Sequence, residues 1–413
     1  MSMTKNELEA YFLSHNYPRY EREGWDNYCE AAGLKLTVPC IHVTGSNGKG
    51  TTCLYLASIY QAADYRVATF NSPFFYHPNE MIQINGVEIS DADLLRIFES
   101  HQKLYEKYQL SSFEIQVDLA YSFFNEKKPD LAVIEVGMGG VLDATNLANL
   151  PTQLAIITSV SLEHTAYLGR TISEIALHKG GIVKEGAPLL TGKLDDSAES
   201  TLRDLCLKRK SAYTLVDDYH GEHLVGDRFH FDYRPYHDLV IASFANYQLR
   251  NASLAVEATK ILAGSFPVKE EAVRQGLLVP SPILRLEKHG NIWIDGAHNP
   301  EAIAALMGCF STISQGGKPV HVVFASFKDK NIALELPMLG KEAADITLTT
   351  FDHPRARQEM DYFLYEADYP FVEDYKKAIS DDLAKYPDDV LLICGGLAFA
   401  AVAREYVVKE LHR

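Results

Sequence analysis

Lys49 stands in a glycine-rich turn, Gly45-Ser46-Asn47-Gly48-Lys49-Gly50-Thr51-Thr52, with an apolar run at 40–43 before it and a helix-forming run at 51–63 after it. Backbone N–H groups in such a turn converge on an anion, and the N-terminus of the next helix adds favourable potential. Lys49 supplies a mobile positive charge for terminal phosphates, and Thr51 or Thr52 offers a hydroxyl near Mg²⁺. The order strand, Gly, Gly-Lys, Thr, helix is that of a phosphate-binding loop. Its spacing is not the common G-x-x-x-x-G-K-[ST], which needs Gly at Val43 and Ser or Thr at Gly50. The competing reading is a glycine-rich strand-to-helix turn without a ligand.

Other strand ends carry chemistry too. Asn71-Ser72-Pro73 follows an apolar run, and in an open α/β sheet ligands collect at the carboxyl ends of strands. Glu135 lies in Val133-Ile134-Glu135-Val136, ahead of Gly137-Met138-Gly139-Gly140. A carboxylate in such a run is costly to bury unless compensated, and Mg²⁺ or a core salt bridge would compensate it. Asp143-Ala144-Thr145-Asn146 continues the loop with polar side chains. His164 stands just past the run 154–160, where a neutral imidazole can ligate a metal or serve structurally. Lys179-Gly180-Gly181-Ile182 places two glycines in a helical pattern, at a cost of roughly 1 kcal/mol each. A packing or functional reason is expected there. A second dense cluster, Asp295-Gly296-Ala297-His298-Asn299-Pro300, follows Ile292-Trp293-Ile294. Asp295 suits a ribose hydroxyl, and His298 a phosphate or a substrate carboxylate. Alternatively, Asp295 or Asn299 caps the helix that Pro300 opens.

These residues need a scaffold that brings strand ends to one edge. Apolar runs at 40–43, 66–70, 131–136 and 154–160 alternate with helical patterns at 91–107 and 113–126, which predicts a mainly parallel sheet with helices on both faces. Residues 213–241 read as a small antiparallel patch, followed by helices at 247–262 and 269–277. Val279-Pro280-Ser281-Pro282 breaks the pattern. Strands are then expected at 291–295, 320–324, 346–349 and 390–394, with helices at 300–310, 332–339 and from 398 onward. The expectation is a phosphate-loop α/β domain over 1–281, a linker at 282–285, and a Rossmann-like α/β domain over 286–413.

The 413 residues exceed a typical single core, which agrees with two domains. A net charge of −16 argues against a nucleic-acid surface, and no apolar run reaches membrane-spanning length. Residues 1–10 do not read as a signal peptide, so the expected location is cytoplasmic. The six cysteines form no C-x-x-C pair and read as free thiols.

Taken in order, HVTGSNGKGTT (42–52), SPFFYHPNEMIQING (72–86), VIEVGMGG (133–140), LDATN (142–146), SLEHTAYLG (161–169), KGGIVKEG (179–186), NYQLRNASLA (246–255), RLE (285–287), DGAHNP (295–300), DK (329–330) and PRA (354–356) resemble the folylpolyglutamate synthase/dihydrofolate synthase family of Mur ligases. The resemblance implies an ATP-dependent ligase that joins L-glutamate to a folate, or to dihydropteroate, with two Mg²⁺ ions. It implies that Gly45 to Thr52 hold ATP phosphates, with Lys49 in contact, and that Asn251, Arg285, Asp295 and His298 lie around the nucleotide. Ser72, Glu135 and His164 would hold Mg²⁺, and a carbamylated Lys179 would bind the second ion. Lys49, Lys179, His164, Arg285 and His298 would carry catalysis. Ser72, Pro73, Phe74, Met81, Asp143 and His298 would face folate or glutamate. A monomer is the family habit. The departures are Met81 for Arg in N-E-R, Val141 for Arg in G-G-R, Pro282-Ile283-Leu284-Arg285 for W-P-[GA]-R, Gly180 for Ala in K-A-G-I, and Gly396 for Ser in G-S-L. That serine is thought to help bind the incoming glutamate, so the acceptor surface looks altered while the ATP machinery looks complete.

Overall fold

The computed structural model of the chain describes residues 4–14, 22–365 and 367–412. Two compact units divide it. The first comprises Met1–Glu222, Phe231–Ile241 and Arg250–Val279; the second comprises His223–His230, Ala242–Leu249 and Pro280–Arg413. Segments 223–230 and 242–249 thus group with the second unit although they precede the 282–285 linker.

The first unit is built on an 8-stranded sheet. Its strands are β1 (Cys40–Thr44), β2 (Val67–Phe70), β3 (Ile82–Ile84), β4 (Val87–Glu88), β5 (Leu131–Glu135), β6 (Thr152–Ile157), β7 (Leu189–Thr191) and β8 (Tyr213–Leu215), in the order β4-β3-β2-β5-β1-β6-β7-β8. From β2 through β8 all neighbours are parallel, whereas β3 and β4 form an antiparallel edge. β1 and β5 are buried at every position, as central parallel strands covered on both faces must be. The helices start where the sequence supplies caps: Ser111 accepts from the N–H of Glu114, and Thr171 from that of Glu174, each in a reciprocal capping box.

Residues 213–241 divide differently from the expected patch. Tyr213–Leu215 continues the parallel sheet as β8, and only β9 (His220–Val225), β10 (Arg228–Tyr233) and β11 (Tyr236–Ile241) make the antiparallel three-stranded sheet. A three-residue strand is too short for its periodicity to reveal its partner.

The 6-stranded sheet of the second unit uses β12 (Glu287–His289), β13 (Ile292–Ile294), β14 (Val320–Phe324), β15 (Asp345–Thr350), β16 (Phe371–Asp374) and β17 (Val390–Cys394), in the order β12-β13-β17-β14-β15-β16. All pairs but β12–β13 are parallel. Trp293, Phe324, Leu336, Leu392 and Tyr362 pack in its core. Among the described residues no helix is long and apolar enough to cross a membrane.

Candidate active site

β1 delivers its last residue, Thr44, to the rim of the sheet, where the Thr44 hydroxyl donates to the Gly139 carbonyl at 2.6 Å. The glycine-rich turn that follows is held from the β6 side. Ser46 N–H donates to Ser159 O at 3.0 Å, Asn47 N–H to Ser159 Oγ at 2.9 Å, Thr158 Oγ–H to Asn47 O at 2.5 Å and Ser161 N–H to Ser46 Oγ at 2.9 Å. Gly48 has φ 84°, and a Cβ there would run into Asn251 Oδ1, so only glycine serves. Lys49 opens the helix Lys49–Ala62, and its Nζ donates back to Gly45 O at 3.0 Å, across the mouth of the turn. A Cβ on Gly50 would lie 3.3 Å from Glu135 Oε2. Glycine at that position therefore leaves room beside a carboxylate.

Glu135, the last residue of β5, is 5% exposed and accepts the Ser72 N–H at 3.3 Å. The loop after it is pressed against the Lys179 segment: a Cβ on Gly140 would come within 2.6 Å of Lys179 O, and Val141 N–H donates to His178 O at 2.9 Å. The paired glycines at 180 and 181 have a packing reason. The helix Ile172–Lys179 ends there in a tight turn; Gly180 abuts Leu205 and Leu202, and Gly181 abuts the backbone of Val141. Lys179 itself is 1% exposed, with Nζ 2.8 Å from Glu163 Oε1. Burial works against ionisation of Glu163, but the charges of Lys179 and then Lys49 outweigh it and hold the carboxyl at about 2. His164 is exposed, with φ 45°, and its carbonyl accepts from Tyr167 and Leu168.

In the second unit, Asp295 follows β13 and is 3% exposed. It accepts from Tyr247 Oη at 2.8 Å, Leu286 N–H at 2.8 Å and Ala297 N–H at 2.8 Å. Burial raises its pKa, with nearby Arg285 pulling against it. Leu284 and Leu286, on either side of Arg285, both have left-handed backbone at φ 63° and 53°. Such strain persists only where surrounding bonds over-determine it, and here Gly296 N–H to Leu284 O at 2.8 Å and the Asp295 contact do so. His298 Nδ1 lies 3.0 Å from Gly296 O, while Asn299 caps the helix Pro300–Met307 by accepting Ala302 N–H at 2.8 Å. Of the two candidate caps, Asn299 is the one used, and Asp295 instead pins the Arg285 segment. A Cβ on Gly396 would meet only His298 Cβ, at 3.9 Å, so packing does not demand glycine.

Family profiles described as "Mur ligase middle domain" and "Mur ligase, glutamate ligase domain" match residues 43–211 and 284–397. The folylpolyglutamate synthase of Lacticaseibacillus casei is 31% identical over 98% of this chain and 98% of its own length. The dihydrofolate synthase/folylpolyglutamate synthase of Bacillus subtilis is 31% identical over 89% of this chain and 90% of its own. A solved folylpolyglutamate synthase–AMPPCP–folate complex superposes with a TM-score of 0.85 at 29% identity, covering 98% of this chain and 100% of that one.

The chain belongs to the folylpolyglutamate synthase/dihydrofolate synthase family of Mur ligases.

It is accordingly an ATP-dependent amide ligase. Within this family fold, Gly45 to Thr52, Asn251, Ser72 and Glu135 are brought together around β1, β2 and β5, and Arg285, Asp295 and His298 around β13. Phe74 is half-buried against the core, and Met81 is 2% exposed within it. Met81 therefore does not present its side chain as a substrate surface; following Glu80 it turns inward to join Ile82. Asp143 is likewise buried, accepting Met138 N–H at 2.9 Å and Thr145 N–H at 3.0 Å, so its carboxylate shapes the loop.

Two residues were not singled out by sequence. Glu163 pairs with Lys179, and its place beside His164, an acid next to a candidate ligand, is the signal the sequence carries for it. Glu80 gathers the N–H groups of Phe75 (2.8 Å), Tyr76 (2.9 Å) and His77 (3.0 Å), and so shapes the loop after Ser72.

Glu135 supplies one oxygen donor of the type a hard cation takes. Glu135 offers a carboxylate beside Ser72, with the open face of Gly50 next to it. Lys179 as an ammonium paired with Glu163 is no ligand, and would become one only as an anion. Among the described residues no three His, Cys, Asp or Glu side chains gather into a metal-holding group.

Proposed function

We propose that the protein adds L-glutamate to the γ-carboxylate of a reduced folate through an acylphosphate, using ATP and Mg²⁺. The observation that carries this reading is the phosphate-binding turn with Lys49 across its mouth and Glu135 beside Gly50, within a chain whose full-length relatives carry that activity in their names. Under this reading a γ-carboxylate oxygen attacks the γ-phosphorus and the bond to ADP breaks. Lys49 and the loop amides carry the charge of the transferring group. Glu135 and the Ser72 hydroxyl would hold Mg²⁺, which supplies neutralising charge to the phosphates. Arg285 and His298 are assigned to nucleotide and acceptor. The amine of glutamate then attacks the acyl carbon, loses its proton, and phosphate leaves. The test is ADP release from purified protein with ATP, Mg²⁺ and a panel of folates and dihydropteroate. Release is expected only with both pterin substrate and glutamate; none with any of them refutes the assignment. Turnover of dihydropteroate would extend the reading to dihydrofolate synthase.

A second reading keeps the chemistry and changes the amine. Gly396 motivates it, because its surroundings accept a larger residue. A screen of amino-acid acceptors by ADP release separates the two, and preference for an amine other than glutamate favours the second.

A further inference from the structure

The loop 137–146 connects three parts of the first-unit site. Its start follows Glu135, Gly139 O takes the Thr44 hydroxyl at the foot of the phosphate loop (2.6 Å), and Gly140 rests on the backbone of Lys179. Its far end is held in an unusual way. Four successive carbonyls receive side chains from helices elsewhere in the unit. Arg22 Nη1 donates to Asp143 O at 2.8 Å and Arg22 Nη2 to Asn146 O at 3.0 Å. Trp25 Nε1 donates to Ala144 O at 3.1 Å, and Tyr121 Oη to Thr145 O at 2.7 Å. Asn146 Nδ2 relays the hold to Gly140 O at 2.9 Å and Gly181 O at 3.1 Å. Arg22 and Trp25 lie on the helix Arg22–Ala32, outside the stretch that begins at residue 43 in the matched middle-domain profile. A charged fork reaching two carbonyls three residues apart is a stronger and more directional tether than packing alone.

We propose that Arg22 is a positioning residue for phosphoryl transfer: its fork on Asp143 and Asn146, with Trp25 on Ala144, sets the loop that aligns Glu135, Thr44 and the Lys179 segment. The inference rests on the ligase reading for its kinetic consequence, while its structural part stands alone. Removing the partners that orient metal ligands changes affinity or activity by about 10- to 100-fold, and a tether one step further out is expected at the low end of that range.

The full-length protein is compared with Arg22→Met, Arg22→Lys and Trp25→Phe by backbone hydrogen exchange and by ADP-release kinetics. In Arg22→Met, exchange in peptides covering 137–146 is expected to quicken about tenfold while peptides covering the helix Lys49–Ala62 keep their wild-type rates. The kcat should fall about tenfold with the KM for ATP within about twofold, Arg22→Lys should fall between, and Trp25→Phe should show the smaller change. Unchanged exchange in 137–146, faster exchange across the whole unit, or a loosened loop with wild-type kcat would each overturn the proposal. A wild-type protein inert toward every folate would sink the substrate assignment instead, and the exchange measurement on the same proteins would still decide whether Arg22 holds the loop. Should Arg22→Met fail to fold, Arg22→Lys and Trp25→Phe provide the same comparison.

Discussion

Two glutamates, one in each unit and both largely withdrawn from water, shift in opposite directions. Glu163 has Lys179 Nζ at 2.8 Å and is held at about 2. Glu335, on the helix Ile332–Leu339, is 0% exposed, and neither of its carboxyl oxygens has a hydrogen-bond partner. Burial pushes it up to about 7, with Lys330 and Arg357 opposing too weakly to reverse the shift. Desolvation is common to both; a direct cation is not. Lys179 therefore keeps Glu163 an anion, whereas Glu335 is a carboxyl that stays neutral over much of the acid range.

The largest expected effect comes from making the first site resemble the second. Lys179→Met leaves the largely desolvated Glu163 without its direct cation and should destabilise the first unit by about 3 kcal/mol, the lower end for a broken buried pair, read as a shift of its denaturant midpoint. The double variant Lys179→Met/Glu163→Gln should recover part of that loss, because the stranded charge is gone. Equal midpoints for single and double variants would show that Lys179 acts through packing. Lys49→Ala removes the more distant of the two cations acting on Glu163. It should change stability much less, yet lower kcat for ADP formation about 10²- to 10³-fold. Turnover within about tenfold of wild type would remove Lys49 from phosphoryl transfer.

Glu335→Gln tests the other side of the contrast through pH. A carboxyl whose folded pKa lies at about 7, above its ordinary 4.5, favours the folded state only when protonated. Its cost is absent below about pH 4.5, grows as pH rises through the interval, and is complete above about 7, where it reaches roughly 3 kcal/mol. The stability gained by Glu335→Gln should therefore rise from pH 4.5 to 7 and then level off. A gain independent of pH would mean that Glu335 does not titrate there. The smallest structural effect is expected for Gly396→Ser, within about 0.5 kcal/mol of wild type in stability. Its informative readout is the KM for glutamate, which should fall while that for ATP holds. A rise would mean that the glycine matches the acceptor this enzyme uses.

The strands that carry the chemistry were legible because central parallel strands are continuous apolar runs between turn residues. The runs at 40–43, 131–136 and 390–394 correspond to Cys40–Thr44, Leu131–Glu135 and Val390–Cys394. The shortest strands were not. The antiparallel hairpin of β3 and β4, the strand Leu189–Thr191 and the strand Phe371–Asp374 are two to four residues long, too short to announce a period. Met81 shows the limit of motif reasoning: its position in the Asn79-Glu80-Met81 segment suggested a substrate contact, but the turn organised by Glu80 directs it into the core.

The order of residues alone determined that a glycine-rich turn carrying Lys49 joins a buried strand to a helix, that Glu135 stands at the end of another apolar run, and that a second strand-and-helix alternation follows the prolines at 280 and 282. Local spacing and hydropathy suffice for these, since each is written within a dozen consecutive residues. Partners distant in sequence were decided by tertiary structure: Glu163 against Lys179, Asp295 against Tyr247 and Leu286, and Arg22 against the carbonyls of Asp143 and Asn146. A buried charge takes its ionisation state from the group that reaches it across the fold, and no local pattern states which group that will be.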